Sequence, residues 1–268
     1  MKLRMILIVV ASLSAAQSCI IENRENCPAY LTLDFSLTPE EVGHIHLILR
    51  HENGGIFQDT VYRERFMSPY EIQVTRGCVT LAAFGNVRDM IFENGYTVET
   101  GNAADNLYTC FLQSEYNGDL ERDTVTVMKN NIGLFIRVLS GAPDTDSISV
   151  CIESRSTGYD LQGNILEGVF SHRPEAVHLP EEGAAYFEFN SRIVRQKDED
   201  LILSVFNGTD ISDILLARIQ LIPILKEAGI EMDDEHLDDV YMTVDCNRMT
   251  ITVSPVGWYA NGHAEITF

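Results

Sequence analysis

The chain has 268 residues, more than one ordinary domain and fewer than three, so two domains are expected. Hydrophobic residues make up 45% and charged residues 22%, a globular composition that argues against a mostly disordered chain. Lys and Arg total 19 against 40 Asp and Glu; the net charge of −21 repels phosphate backbones and argues against nucleic acid as a partner.

Lys2 and Arg4 make a short basic start, Met5 to Leu13 an apolar stretch too short to span a bilayer, and Ser14-Ala15-Ala16-Gln17-Ser18 a run of mostly small residues. That order reads as a secretory signal peptide over residues 1–18; a buried first strand or helix would need no such succession of blocks. Ala16-Gln17-Ser18-Cys19 resembles a bacterial lipobox, with Ala16 where Leu is usual. Cleavage there leaves a lipidated Cys19 and a polar tether over 19–26, whereas a cut after Ala16 leaves a secreted chain starting at Gln17. Two or three acyl chains on Cys19 meet the two-anchor condition for stable attachment to a membrane. Nothing further along approaches the roughly 20 consecutive apolar residues of a membrane helix.

From residue 27 onward the period is two. Leu31, Leu33, Phe35 and Leu37 alternate with polar residues, then Ile45, Leu47 and Leu49 with His46 and, less cleanly, Ile48. Tyr70, Ile72 and Val74 lead through Arg76-Gly77 to the apolar run Val79–Phe84. The second half continues with Ile132, Leu134, Ile136 and Val138, then Ile148, Val150 and Ile152, Phe187 and Phe189, Leu201 to Val205, and Met249 to Val253. Residues two apart on a strand share a face, so each run buries one side and wets the other. Turn signals separate the runs at Asn53-Gly54-Gly55, Asn94-Gly95, Asn117-Gly118, Gly141-Ala142-Pro143-Asp144, Glu182-Gly183 and Asn207-Gly208. Many short half-buried strands of this kind make an all-β chain of sandwiches. The polar break at Val127-Met128-Lys129-Asn130-Asn131 divides it into a first sandwich over 27–128 and a second over 129–268. Ile211 to Ile230 resists the pattern: Ile214, Leu215, Ile219 and Ile222 sit at helical spacing, but Pro223 would break a long helix, so a short helix or turn is expected.

The search for chemistry yields little. There is no nucleophile elbow, H-E-x-x-H, Walker A loop or dinucleotide fingerprint, and no cofactor is implied. His44-x-His46 puts two imidazoles on one strand face with no third ligand nearby, which reads as a solvated face. Asp233-Asp234-Glu235-His236 with Asp238-Asp239 lacks the glycine and alternation of a calcium loop and reads as solvated acid. The carboxylates are too many for any one pair to signal a glycosidase, and Trp258-Tyr259 reads as a core plug rather than a sugar platform. Six cysteines (Cys19, Cys27, Cys78, Cys110, Cys151 and Cys246) include no C-x-x-C, and five cannot all pair if Cys19 carries lipid, so no bridge is assigned. Cys151 lies between apolar residues of opposite parity and should face away from them. An enzyme is not expected, and neither is a metal site.

Three stretches carry a family resemblance. Cys19 is followed by Asn26-Cys27-Pro28-Ala29-Tyr30 and the first strand; Tyr70 to Asn86 is a strand, a glycine turn and an apolar strand, with Cys78 where an aromatic is usual; and His236-Leu237-Asp238-Asp239-Val240-Tyr241 leads to the last strands and Gly257-Trp258. Together they resemble the FimB-type fimbrial anchor and minor-subunit lipoproteins of Bacteroidales, which build type V pili. The resemblance implies two tandem transthyretin-like (Greek-key) β-sandwiches, lipid on Cys19, a place at the outer membrane facing the exterior, fimbrial shaft or accessory subunits as partners, and no catalytic residues. It also implies assembly by strand complementation, in which main-chain hydrogen bonds supply affinity and alternate side chains supply register. The alternative is a surface lipoprotein that binds glycan or another ligand, which would need an exposed aromatic platform; a secreted hydrolase would need a carboxylate pair that is not evident.

Two further expectations concern single residues. Asp59-Thr60-Val61, Asp123-Thr124-Val125 and Asp146-Ser147-Ile148 match an Asp-Thr/Ser-apolar pattern that resembles the O-glycosylation sequon of Bacteroidetes exported proteins, making Thr60, Thr124 and Ser147 candidates. The terminal run Gly262 to Phe268, with Ala264, Ile266 and Phe268 on one face, is either a donor strand for a neighbour or the last strand of the second sandwich.

Overall fold

A computed structural model describes residues 28–88, 95–139, 147–178, 186–197, 199–208, 214–256 and 264–268. The first part of the chain folds into β1 (Pro28–Asp34), β2 (His44–His51), β3 (Ile56–Tyr62), β4 (Tyr70–Thr75), β5 (Gly77–Gly85), β6 (Tyr96–Thr97), β7 (Tyr108–Tyr116), β8 (Leu120–Thr124) and β9 (Met128–Lys129). A three-stranded sheet, β4-β1-β8, faces a five-stranded one, β3-β2-β5-β7-β9. Alternation drives the packing: Leu31, Leu33, Tyr70, Ile72 and Val74 point inward from the first sheet, and Ile45, Leu47, Leu49, Leu81 and Ala83 meet them from the second. Each large aliphatic side chain fully buried this way contributes about 1.5–3 kcal/mol.

The remainder gives β10 (Asn131–Leu139), β11 (Ile148–Tyr159), β12 (Ile165–His172), β13 (Ala176–His178), β14 (Tyr186–Val194), β15 (Ile202–Asn207), β16 (Ile214–Gln220), the helix α1 (Leu221–Glu227), β17 (Asp239–Asp245), β18 (Thr250–Val256) and β19 (Ala264–Thr267). Its sheets run β13-β14-β10-β17-β18-β19 and β12-β11-β15-β16. The two halves repeat one topology. β1 pairs antiparallel with β4 and parallel with β8, as β10 does with β14 and β17. β2 lies between β3 and β5, with β7 next, as β11 lies between β12 and β15, with β16 next. The chain is thus all-β, two sandwiches of the same Greek-key connectivity in tandem.

The two sandwiches share apolar surface. Ile48, which spoils the alternation of β2, is buried on the far side of its sheet, where Ala82, Phe84 and Val87 join the second sandwich's core. Phe84 meets Phe111 edge to face at 5.6 Å, and Phe111 lies 6.1 Å from Tyr159 on β11. β6 crosses over and pairs antiparallel with the end of β11. Only glycine permits that approach: a Cβ on Gly158 would lie 1.8 Å from the Tyr96 carbonyl oxygen, and one on Gly95 (φ +98) 2.0 Å from that of Tyr159. The polar break between the halves is a fastening. The Asn130 carbonyl accepts from the Tyr159 hydroxyl at 3.2 Å, its side-chain oxygen from Arg195 at 2.9 Å, and Lys129 binds Asp239 at 2.6 Å. Burial pushes the Tyr159 phenol up to about 12 despite the opposing Arg195 charge.

The segment 211–230 departs from the helical spacing read in its sequence. Ile214 to Gln220 is a strand, held in register against Ile202–Asn207, and leaves Ile214 and Leu215 exposed at its end. The expected short helix begins only at Leu221. Pro223 is its third residue, where the missing N–H falls among first-turn donors that have no helical partner anyway. Gly229 (φ +82) closes the helix, its N–H bonding the Lys226 carbonyl at 3.0 Å.

Candidate functional site

Strand addition needs an edge with unpaired main-chain groups, and the repeat makes one conspicuous. In the second sandwich β17 is interior, with Val240, Met242 and Val244 in the core and the β18–β19 hairpin beyond it. Its counterpart β8 has β1 on one side and, among the described residues, no strand on the other. The register Leu31–Glu121 and Leu33–Asp123 puts Glu121 and Asp123 on the core-facing side of β8 and leaves Leu120, 80% exposed, on the outer side beside Tyr30. Inward acids on an edge strand guard against indiscriminate pairing while leaving the backbone groups in place. Glu121 accepts the Gly118 N–H at 2.7 Å, and Asp123 accepts the Tyr116 hydroxyl, so both acids are satisfied within the fold. Burial and the Asp123 carboxylate raise the Tyr116 phenol well above its ordinary range.

The terminal run lies at one edge of the six-stranded sheet. Ala264 to Thr267 forms β19, paired with β18 from Thr250–Thr267 to Val253–Ala264. Ala264 is buried, and Ile266 and Phe268 pack against the core. As found, it is the last strand of its own sandwich, and serving as a donor would require it first to leave β18.

The candidate modification residues differ in their surroundings. Thr124 is exposed at the end of β8. Thr60 is half-buried, its hydroxyl 2.9 Å from Nδ1 of His46 directly across the β2–β3 ladder, so it does not face open solvent. Ser147 is half-buried just before β11, its carbonyl accepting the Gly208 N–H at 3.0 Å. Two of the sequon acids hold tyrosines: Asp59 accepts from the Tyr70 hydroxyl and Asp123 from Tyr116. These Tyr–Asp pairs were not read from the sequence, where their separations of 11 and 7 residues carry no recognisable signal.

The histidine pair is not a solvated face. His44 and His46 are half-buried against the interdomain surface, and Nε2 of each donates to the Val87 carbonyl, at 3.0 and 3.2 Å. Cys151 faces away from the apolar residues beside it but is nonetheless buried, its sulfur 3.5 Å from the Ser171 hydroxyl. Cys78, Cys110, Cys151 and Cys246 are free thiols. The loop at Asp233–His236 is exposed, and no group of three or more His, Cys, Asp or Glu is placed to hold a metal among the described residues. Cys19, Cys27, Trp258 and Tyr259 lie outside the described residues.

No protein-family model matches the chain, and no curated protein matches it in sequence. Solved structures do. The chain is similar to the fimbrial anchor protein Mfa2 from Porphyromonas gingivalis, with a TM-score of 0.65 and 11% identity over 89% of this chain and 100% of that one. A candidate polysaccharide-binding protein from Bacteroides thetaiotaomicron matches with a TM-score of 0.64 and 13% identity over 90% of this chain and 99% of that one. A candidate adhesin from the same organism matches with a TM-score of 0.57 and 16% identity over 85% and 96%. At these identities the likeness establishes the fold: the tandem β-sandwich of this chain is that of these solved proteins, matched along nearly their full lengths.

Proposed function

We propose that the chain is a FimB-type fimbrial anchor or minor fimbrial subunit, tethered to the outer membrane by lipid on Cys19 and joined to shaft or accessory subunits by strand addition. The observation that carries this reading is the edge of β8, beside which no strand lies among the described residues, whereas its equivalent β17 is covered. An incoming strand would find unpaired main-chain groups there, with Leu120 and Tyr30 exposed beside it to set register. The likeness to a fimbrial anchor over the whole of that protein supports the same reading. An anchor needs a tether, a rigid body and an edge, and no catalytic group. Growth with an alkyne fatty acid tests the tether: the parent chain should be labelled and Cys19→Ala should not, and equal labelling of the two would contradict it.

A further inference from the structure

The outer face of the six-stranded sheet carries a cleft that strand addition does not use. Between its core positions β10 presents Phe135 and Arg137 outward. Register sets Phe135 beside Asn190 of β14 and Tyr241 of β17, and Arg137 beside Glu188 and Thr243. The Phe135 and Tyr241 rings have centroids 4.9 Å apart with 32° between their planes, and Tyr241 is 56% exposed. Arg137 donates to Glu188 Oε1 from Nε at 3.0 Å and from Nη2 at 2.6 Å, and its guanidinium lies 5.0 Å from the centre of the Tyr186 ring. Phe135, Arg137, Glu188, Asn190, Tyr241 and Thr243 line a cleft of about 550 Å³. That volume falls within the roughly 300–1,000 Å³ of small-ligand sites and leaves room for a short oligosaccharide.

The lining selects the chemistry of the occupant. β10 is paired on both sides, so its main chain has nothing to offer an added strand. A dry protein interface is a poor fit, because its centre would have to cover a charged pair, and charged groups are depleted from interface cores. An anion is disfavoured: Glu188 neutralises Arg137 locally, and the chain as a whole carries −21. What remains is a neutral molecule with one apolar face and a rim of hydroxyls. A pyranose has that form, with C–H groups to lie on aromatic rings and hydroxyls that both donate and accept.

We propose that this cleft binds a neutral oligosaccharide. Phe135 and Tyr241 form the stacking platform; Arg137 and Asn190 donate to sugar hydroxyls, Glu188 accepts from them, and Thr243 does either. The site is independent of the fimbrial reading, since it requires neither tether nor fibre.

The test uses the full chain on an array of neutral oligosaccharides of glucose, mannose, xylose, galactose and N-acetylhexosamines, with sulfated and uronic-acid counterparts, followed by calorimetry on the best binder. At least one neutral oligosaccharide should bind. Tyr241→Ala should weaken it about tenfold, Tyr241→Trp should retain it, and Asn190→Ala should weaken it by a smaller factor. Tyr241 and Asn190 are exposed, so melting temperatures should match the parent and separate lost binding from lost folding. Binding to no neutral glycan, binding to anionic glycans alone, or affinity unchanged by both alanine variants would overturn the proposal. So would self-association that Tyr241→Ala disperses while no sugar binds.

Discussion

The imidazoles of His44 and His46 stand edge to face with centroids 5.0 Å apart, and both donate to the one carbonyl of Val87. Val87 follows β5 in the first sandwich and its side chain is buried in the second sandwich's core, so this pair braces the segment that makes that contact. Burial holds the His46 imidazole below its ordinary value against the pull of the Val87 carbonyl, and His44 adds repulsion. Burial lowers His172 as well, beside the Ser191 hydroxyl. For groups depressed on folding, the unfolded chain binds more protons between the two values. Their contribution is therefore complete above about pH 6.5 and is lost as pH falls through the folded value. The urea midpoint should be lower at about pH 5.5 than at about pH 7.5, and His46→Gln should flatten that dependence. A midpoint that rises on acidification would contradict this.

Gly158→Ala should detach β6 from β11. The new Cβ would stand 1.8 Å from the Tyr96 carbonyl oxygen, which no rotamer relieves. Amide exchange at Val98, whose N–H bonds the Thr157 carbonyl at 2.8 Å, should lose protection. Stability should fall by at least about 1–3 kcal/mol, the cost of leaving buried backbone groups without partners. Protection unchanged at Val98 would show that β6 is not held by this contact.

Glycosylation, if present, should favour Thr124 over Thr60. Thr124 is exposed at a strand end, while the Thr60 hydroxyl is engaged by His46. Intact-mass and peptide mapping of protein from its native host should place sugar on Thr124 and none on Thr60; the reverse would contradict the structure. Asp123→Ala tests a separate point: it removes the carboxylate that accepts from the Tyr116 hydroxyl and should lower stability by about 1.5–3 kcal/mol whether or not Thr124 carries sugar.

Deleting residues 262–268 should destabilise the second sandwich, because it strips a paired strand from β18 and takes Ala264 out of the core. The melting temperature should fall and the protein should become scarce in cells. A deletion variant that melts like the parent would return the segment to the role of donor.

Much of this fold was legible because strand alternation is local. Leu31 and Leu33, Ile72 and Val74, and Leu134 and Ile136 announce a buried face two residues at a time, and each pair is buried on one face. Contacts made on the other face of a strand were not legible. Ile48 looked like an irregularity because its partner surface is the second sandwich. His44 and His46 looked solvated because Val87, more than forty residues away, has no local mark. Ile214 to Gln220 has helical spacing, yet pairing with β15 overrides it. Phe135 and Tyr241 are far apart in the chain and meet only because β10 and β17 run parallel in register. The open edge of β8, beside which the described residues place no strand, emerges only from the comparison between the two sandwiches.

The proposal with the widest consequences is that this chain, as an anchor or minor fimbrial subunit, holds fimbriae at the cell surface. Its most direct test is to shear fimbriae from cells carrying the parent chain or Cys19→Ala, and to measure both the fimbriae shed into the medium and the chain bound to them. The parent chain should co-purify with fibres in small amounts, and the Cys19→Ala cells should release their fimbriae with the variant still attached. Fimbriae that contain none of this chain, or that stay on the cell when Cys19 is replaced, would contradict it.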